Sequence, residues 1–133
     1  MARRILVVED DEKSRRLLVD VLGFHGFEVI AAESGERGME AVAGALPDAA
    51  LLDIQLPGIS GFRVLELLRA RQGPAPIPIL AVTASVMDTD RARILQAGFD
   101  AYVPKPVNIR ELVNLLNRML ADPKWWRRAA WSP

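Results

Sequence analysis

The chain has 133 residues, of which half are hydrophobic, so it can form one domain whose core needs no metal or disulfide to hold it. Its 17 basic and 17 acidic residues give a formal net charge of zero, which leaves no overall charge to direct it to nucleic acid or to an anionic membrane. It has no cysteine, which excludes disulfides, thiolate catalysis and cysteine-bound zinc, and no apolar run approaches the roughly 18 residues of a membrane span.

The first part of the chain predicts two strands around one helix. The apolar run 5–8 is typical of a buried strand, and it ends at four consecutive acidic residues. Since this run is too short for the hydrophobic region of a signal peptide, we expect a cytoplasmic protein. Leucine and valine recur at helical spacing from about Glu12 to His25, and Gly26 ends that helix before a second strand over 27–32.

The middle of the chain predicts a helix and the most buried strand. Ser34 can cap the helix, which we expect to continue until Pro47. The residues 49–52 are all apolar, as in a strand covered on both faces, and Asp53 follows at its carboxyl end. Open α/β sheets place their ligands at such ends, so Asp53 is the first candidate for chemistry, although an aspartate here could also merely cap the following turn.

Beyond Asp53, apolar segments alternate between the helical and the strand pattern. The predicted elements are a helix from Ser60 to the Gly73-Pro74 pair, a strand over 77–83, a helix over 87–97, a short strand over 101–103 and a helix over 108–120. Strand and helix thus alternate five times, which predicts an α/β domain with a doubly wound parallel sheet and helices on both faces.

Right-handed crossovers in such a sheet bring the loops after the strands to one edge. Five polar residues lie in these loops or at the strand ends that precede them: Glu9, Asp10, Asp53, Thr83 and Lys105. Three carboxylates at one place would repel one another unless a cation compensates them. Magnesium prefers such open sets of hard oxygen ligands, manganese could take the same ligands, and a single histidine makes zinc a poor fit.

The same residues suit phosphoryl transfer. Asp53 is the best nucleophile because its strand is the most central in sequence order, which leaves Glu9 and Asp10 as metal ligands. A metal ion and the Lys105 ammonium would neutralise the oxygens of an incoming phosphoryl group, and Thr83 adds a hydroxyl beside it. The product would be an aspartyl phosphate.

Four motifs occur in order along the chain: the acidic pair after the run 5–8, Leu52-Asp53 with Pro57-Gly58 and Gly61, Val82-Thr83-Ala84, and Lys105-Pro106. Over about residues 3–120 they resemble the response-regulator receiver domain of two-component signalling. This resemblance implies a flavodoxin-like sheet with strand order 2-1-3-4-5 and a cis peptide bond before Pro106.

By this resemblance, Asp53 accepts a phosphoryl group from a histidine kinase or a histidine phosphotransfer protein. Magnesium is held by Glu9, Asp10, Asp53 and the backbone carbonyl of Gln55. Glu9 replaces the aspartate that is commoner in the family, and its longer side chain could shift the metal or act through water. The protein is then a signalling switch, and not an enzyme beyond its own phosphorylation and slow dephosphorylation.

The resemblance also implies how the signal is passed on. Thr83 would move toward the phosphoryl group and Tyr102 would repack inward, which alters the face formed by the fourth helix, the fifth strand and the fifth helix. A downstream protein would bind to that face, and neither nucleic acid nor a membrane is an expected partner. Gln55 and Ser85 lie where the family tunes the lifetime of the phosphoryl group.

Two other functions fit the sequence less well. An aspartate-nucleophile phosphatase of small phosphoesters usually carries its nucleophile after the first strand, whereas Asp53 ends the third. A flavodoxin-like nucleotide binder needs a phosphate-binding first loop, but the acidic residues 9–12 would repel phosphate and no glycine-rich loop follows a strand. His25, near a helix end, is expected to cap that helix and not to act as a phosphodonor.

We expect the receiver domain to cover residues 1–121, with no output domain after it. The segment 122–133 contains all three tryptophans of the chain, together with two arginines and a lysine. It could anchor a partner, because tryptophan and arginine often dominate binding energy. Alternatively, it is a frayed terminus or the start of a linker.

Overall fold

The computed structural model describes residues 2–73, 76–84 and 88–122, and within them five strands alternate with five helices, as predicted. The strands are β1 (Arg4–Val8), β2 (Glu28–Ala32), β3 (Ala49–Asp53), β4 (Ile79–Thr83) and β5 (Ala101–Pro104). The helices are α1 (Glu12–Phe24), α2 (Gly35–Ala41), α3 (Gly61–Arg71), α4 (Asp88–Ala97) and α5 (Ile109–Ala121).

All five strands are parallel and lie in the order β2-β1-β3-β4-β5, which confirms the predicted fold and strand order. Their register aligns the carboxyl ends, since Val8 lies opposite Leu52 and Thr83 lies opposite Pro104. The residue that follows β1 is therefore level with Asp53 at the end of β3. The loops that carry the predicted site residues consequently meet at one edge of the sheet.

The core consists of two apolar layers, one on each face of the sheet. Side chains alternate between the faces of a strand, so Ile5 and Val7 belong to the layer that includes α1 and α5, whereas Leu6 and Val8 belong to the layer that includes α3 and α4. Burying one such side chain contributes about 1.5–3 kcal/mol. The two layers thus fix the sheet, and with it the positions from which the site residues extend.

Side-chain caps fix where the helices begin. Ser34, Ser60 and Asn108 accept hydrogen bonds from the backbone N–H groups three residues ahead, at 3.1, 3.3 and 3.1 Å. Asp11 caps α1 in the same way, at 2.9 Å from the backbone nitrogen of Ser14. Each cap satisfies a backbone donor that the helix itself leaves without a partner.

Two predicted boundaries were wrong. α2 ends well before Pro47, because Gly44 disfavours a longer helix by about 1 kcal/mol relative to alanine. β4 begins after Pro78 and not at Ile77, because proline has no N–H to donate to a strand ladder. α3 ends at Arg71 with Gln72 as its cap, so Gly73 directly follows the helix, in keeping with the prediction.

Some predictions lie outside the described residues. These are the start of the fourth helix at Met87, the role of Ser85 and everything said of the tail beyond Asp122. Within the described part of the chain, no helix combines the length and the apolar character that a membrane span requires.

Candidate functional site

Three carboxylates meet at the carboxyl edge of the sheet. Glu9 and Asp10 follow β1 and Asp53 ends β3, and each offers an oxygen that lies within 4.8 Å of the oxygens of the other two. Glu9 and Asp53 are buried, at 2% and 6% relative exposure, whereas Asp10 is open to solvent. The site is therefore a pocket with two buried acids at its base and one accessible acid at its rim.

Lys105 supplies the positive charge of this pocket. Its Nζ atom lies 2.6 Å from Oε1 of Glu9 and 2.9 Å from Oδ2 of Asp53. Burial lowers the pKa of Lys105, but the hydrogen bonds and charges of the two carboxylates outweigh burial and raise the pKa above its usual value. The ammonium group is thus charged at neutral pH and links β1 to β3 from the loop after β5.

One lysine does not balance three carboxylates. Burial, together with the hydrogen bond and the charge of Asp53, raises the pKa of the Glu9 carboxyl to about 7, although Lys105 lowers it. A divalent cation would relieve this repulsion more completely than a proton. Open clusters of carboxylate oxygens are the ligands that magnesium prefers, so the donor set fits that ion.

The backbone around Asp53 holds its carboxylate in a fixed orientation. The backbone N–H of Gln55 donates to Oδ1 at 2.9 Å, while Lys105 donates to Oδ2. Gly61 allows α3 to approach, because a Cβ atom at this position would collide with the backbone carbonyl oxygen of Asp53. Gly58 has a φ of 74° in the same loop, a conformation that glycine adopts without strain. Both glycines belong to the motif that the sequence resemblance singled out.

Thr83 ends β4, the strand next to β3, and Tyr102 lies one strand further along the sheet, on β5. Thr83 is 3% exposed and lines a cavity of about 290 Å³ together with Gln55. Tyr102 is half-buried on β5, and the guanidinium carbon of Arg91 lies 5.1 Å from the centre of its ring. The peptide bond between Lys105 and Pro106 is cis, as the resemblance implies.

Sequence reasoning missed one contributor to the site. Nη1 of Arg15, one turn into α1, donates to the backbone carbonyls of Glu9 and Asp10 at 3.0 and 3.4 Å. This contact holds the loop that carries the acidic pair. The sequence alone left this contact ambiguous, because Arg15 is followed by a second arginine, Arg16. The side of α1 that faces the loop decides which of the two arginines reaches it.

Known proteins that are similar to this chain point to one family. The family model for the response regulator receiver domain matches residues 5–117 of the chain. The chain is 34% identical over 122 residues to the polar-differentiation response regulator DivK of Brucella ovis, with 92% of this chain and 99% of that protein covered.

Two solved structures have the same fold as this chain and are 30% and 35% identical to it in sequence. A putative response regulator from Chloroflexus aurantiacus is 35% identical, with a TM-score of 0.81 over 92% of this chain and 100% of that one. The receiver domain of a sensor histidine kinase from Pseudomonas aeruginosa, solved with a magnesium ion coordinated in its active-site cleft, is 30% identical, with a TM-score of 0.82 over 92% and 100% of the two chains.

Proposed function

The chain belongs to the response regulator receiver domains of two-component signalling, and we propose that it is a phosphorylatable switch whose Asp53 accepts a phosphoryl group from a histidine kinase or a histidine phosphotransfer protein. One observation carries this proposal. Asp53 is a buried carboxylate whose two oxygens are held by Lys105 and by the backbone N–H of Gln55, beside two further acids. A carboxylate that only capped a turn would not need this set of neighbours.

The chemistry follows from the positions of these groups. An oxygen of Asp53 attacks the phosphorus atom, a new O–P bond forms, and the bond between phosphorus and the donor's imidazole nitrogen breaks. The nitrogen of the donor keeps the electron pair of that bond. Lys105 neutralises negative charge on the transferred oxygens, and in the free protein its ammonium already lies 2.9 Å from Asp53.

Glu9, Asp10, Asp53 and the backbone carbonyl of Gln55 would hold magnesium. Receiver domains bind this ion at an acidic pocket, where it supplies the positive charge that offsets the phosphoryl oxygens. Asp10 is the exposed member of the set and can take a ligand position without losing a hydrogen bond to Lys105. Glu9, which forms an ion pair with Lys105, would then either hold the lysine in position or bind the metal through its longer side chain.

The switch would run from Thr83 to the face formed by α4, β5 and α5. Thr83 lines the cavity beside Gln55 and follows Val82, the residue paired with Asp53, and we expect its hydroxyl to meet the new phosphoryl oxygens. Tyr102 lies on β5, the strand next to β4, and would repack inward as Thr83 moves. A downstream protein would then recognise the changed face. Gln55 lines the same cavity, which fits a role in setting how long the phosphoryl group persists.

A phosphorylation assay with a small-molecule phosphodonor tests the proposal. We expect acetyl phosphate with magnesium to add one acid-stable, base-labile phosphoryl group, and we expect Asp53→Asn to abolish it. Asp20→Asn, which alters an exposed aspartate on α1, is the matched control and should label normally. Labelling that survives in Asp53→Asn would contradict the assignment. Sustained release of phosphate from free phosphoesters would instead favour a phosphatase.

A further inference from the structure

α4 is held to the sheet by few apolar contacts. Among residues 90–97, whose side chains the structure describes, Ile94 is the one that is buried. By contrast, α5 buries four side chains: Leu112, Val113, Leu116 and Met119. A helix with so little buried apolar surface needs other contacts to define where it lies.

Two arginines of α4 provide such contacts, and both contact aromatic rings. The guanidinium carbon of Arg91 lies 5.1 Å from the ring centre of Tyr102, and that of Arg93 lies 4.7 Å from the ring centre of Phe62. Since residues are spaced at about 100° around a helix, Arg91 and Arg93 lie on opposite sides of Ile94. One side of α4 therefore contacts β5 and the opposite side contacts α3.

The two aromatic partners differ in their place in the proposed switch. Phe62 packs edge-on against Phe99, with the ring centres 5.8 Å apart, and both Phe62 and Tyr102 pack against the apolar layer that includes α3 and α4. Tyr102 is the β5 residue that the proposed switch moves inward. An inward movement would withdraw its ring from beneath Arg91, whereas Phe62 lies on α3, which is not part of the face that the proposed switch alters.

We propose that Arg91 is a positioning residue that restrains Tyr102 in the unphosphorylated arrangement, and that α4 pivots about the contact between Arg93 and Phe62 when the switch operates. This inference rests on the proposed function, because it assigns a role to Arg91 within that switch. A solvent-exposed contact between a cation and a ring changes an equilibrium by about twofold to fivefold. Loss of the Arg91 contact should therefore favour the phosphorylated arrangement by that factor.

Beryllofluoride, a phosphoryl mimic, tests the inference in the full chain with magnesium. NMR titration gives its apparent dissociation constant, and the amide signals of α4 report the change of arrangement. We expect Arg91→Ala to bind beryllofluoride about twofold to fivefold more tightly than the unchanged chain. Arg93→Ala removes the same kind of contact from the same helix and should bind no more tightly. Gln96→Ala, at an exposed position of α4 outside the cavity that Arg93 and Thr83 line, is the matched control and should bind like the unchanged chain. Arg91→Lys retains the cation and should lie closer to the unchanged chain.

A second comparison separates this role from a general loosening of α4. In a Tyr102→Leu background, Arg91→Ala should give no gain in affinity, because the ring that Arg91 restrains is absent. Equal gains for Arg91→Ala and Arg93→Ala, or a gain that persists without Tyr102, would overturn the inference and leave the proposed function intact. If the unchanged chain does not bind beryllofluoride at all, the proposed function is contradicted and this inference with it.

Discussion

At the scale of single residues, Lys105 has the contacts that its proposed role requires. Its ammonium lies within 3 Å of Glu9 and Asp53, at 2.6 and 2.9 Å, which places a charge where phosphoryl oxygens would develop negative charge. The same contacts partly offset the repulsion between the two buried carboxylates in the resting protein. One side chain therefore serves both the stability of the pocket and the proposed chemistry.

Replacing Lys105 tests its chemical role. We expect Lys105→Met to slow phosphorylation by acetyl phosphate by about 100-fold, the usual effect of losing one positioned donor from a site where charge develops. Lys13→Met, which removes an exposed lysine from α1, is the matched control and should react like the unchanged chain. A Lys105→Met rate within twofold of the unchanged chain would contradict the role.

The raised pKa of Glu9 predicts an unusual pH dependence of stability. Since the folded-state pKa is about 7 and the ordinary value is 4.5, the native protein holds a proton that the unfolded chain releases between these values. The contribution of Glu9 to stability is therefore fully present below pH 4.5 and is lost as the pH rises through 7. Urea unfolding at pH 5 and pH 8 in the presence of a chelator measures this loss.

Glu9→Gln is the control for that measurement, because it cannot lose a proton. Its stability should fall less between the two pH values than that of the unchanged chain. Magnesium would compete with the proton at Glu9, so the stabilisation that magnesium provides should increase with pH. Equal pH dependence in Glu9→Gln and the unchanged chain would contradict the raised pKa of Glu9.

At the scale of elements, Arg69 joins three segments at the edge of the sheet opposite the site. Its guanidinium donates to the backbone carbonyls of Ile77 and Gly98, at 2.8 and 2.9 Å, and to the Asp100 carboxylate at 2.6 Å. Burial raises the pKa of Asp100 even though Arg69 lowers it, so the arginine only partly offsets the burial of that acid. Asp100 in turn accepts a hydrogen bond from the backbone nitrogen of Ile79, at the start of β4.

Arg69→Ala should therefore lower the stability of the folded protein. It leaves a partly buried acid without its cation and removes two hydrogen bonds to backbone carbonyls, and we expect the free energy of unfolding to fall by about 2–4 kcal/mol. Arg63→Ala, which removes an exposed ion pair with Glu66 from the same helix, should cost less than about 1 kcal/mol. Urea unfolding of the two variants gives the comparison, and equal losses would show that the Arg69 contacts add little.

Sequence patterns predicted these elements well where one local signal was decisive. Ser34, Ser60 and Asn108 begin helices because each side chain can satisfy a nearby backbone donor, and that preference is written in the sequence. The end of α2 was misplaced because Pro47 is a strong signal for termination and Gly44 a weak one. The roles of Arg15 and Arg91 were beyond prediction, since each depends on which way a helix faces after the molecule has folded.

At the scale of the whole molecule, parallel strands explain why so much of the site could be predicted. Four motifs far apart in sequence meet because right-handed crossovers return every strand end to one edge, and the order β2-β1-β3-β4-β5 puts β3 in the centre. The acids of β1 and β3 thereby lie side by side, with Thr83 and Lys105 on the other flank. What topology does not determine is the distance between side chains, such as the approach of Lys105 to Glu9.

The same layout places the proposed response next to the proposed chemistry. β4 ends at Thr83 and its neighbour β5 carries Tyr102, so in the proposed switch a change at one strand end would be passed across a single pair of strands. α4 has one buried side chain among those described, and a change in its position would cost little apolar burial. The proposed chemistry and the proposed response would then be separated by one strand.

The most direct test of the central claim is to locate the phosphoryl group on the chain. Borohydride reduces an aspartyl phosphate to homoserine, so a protein treated with acetyl phosphate and magnesium and then reduced can be digested and sequenced by mass spectrometry. The assignment of Asp53 as the phosphoacceptor predicts homoserine at position 53 and aspartate at every other aspartate position. Reduction at another aspartate, or a stable phosphoryl group on a serine, threonine or histidine with position 53 unchanged, would contradict it.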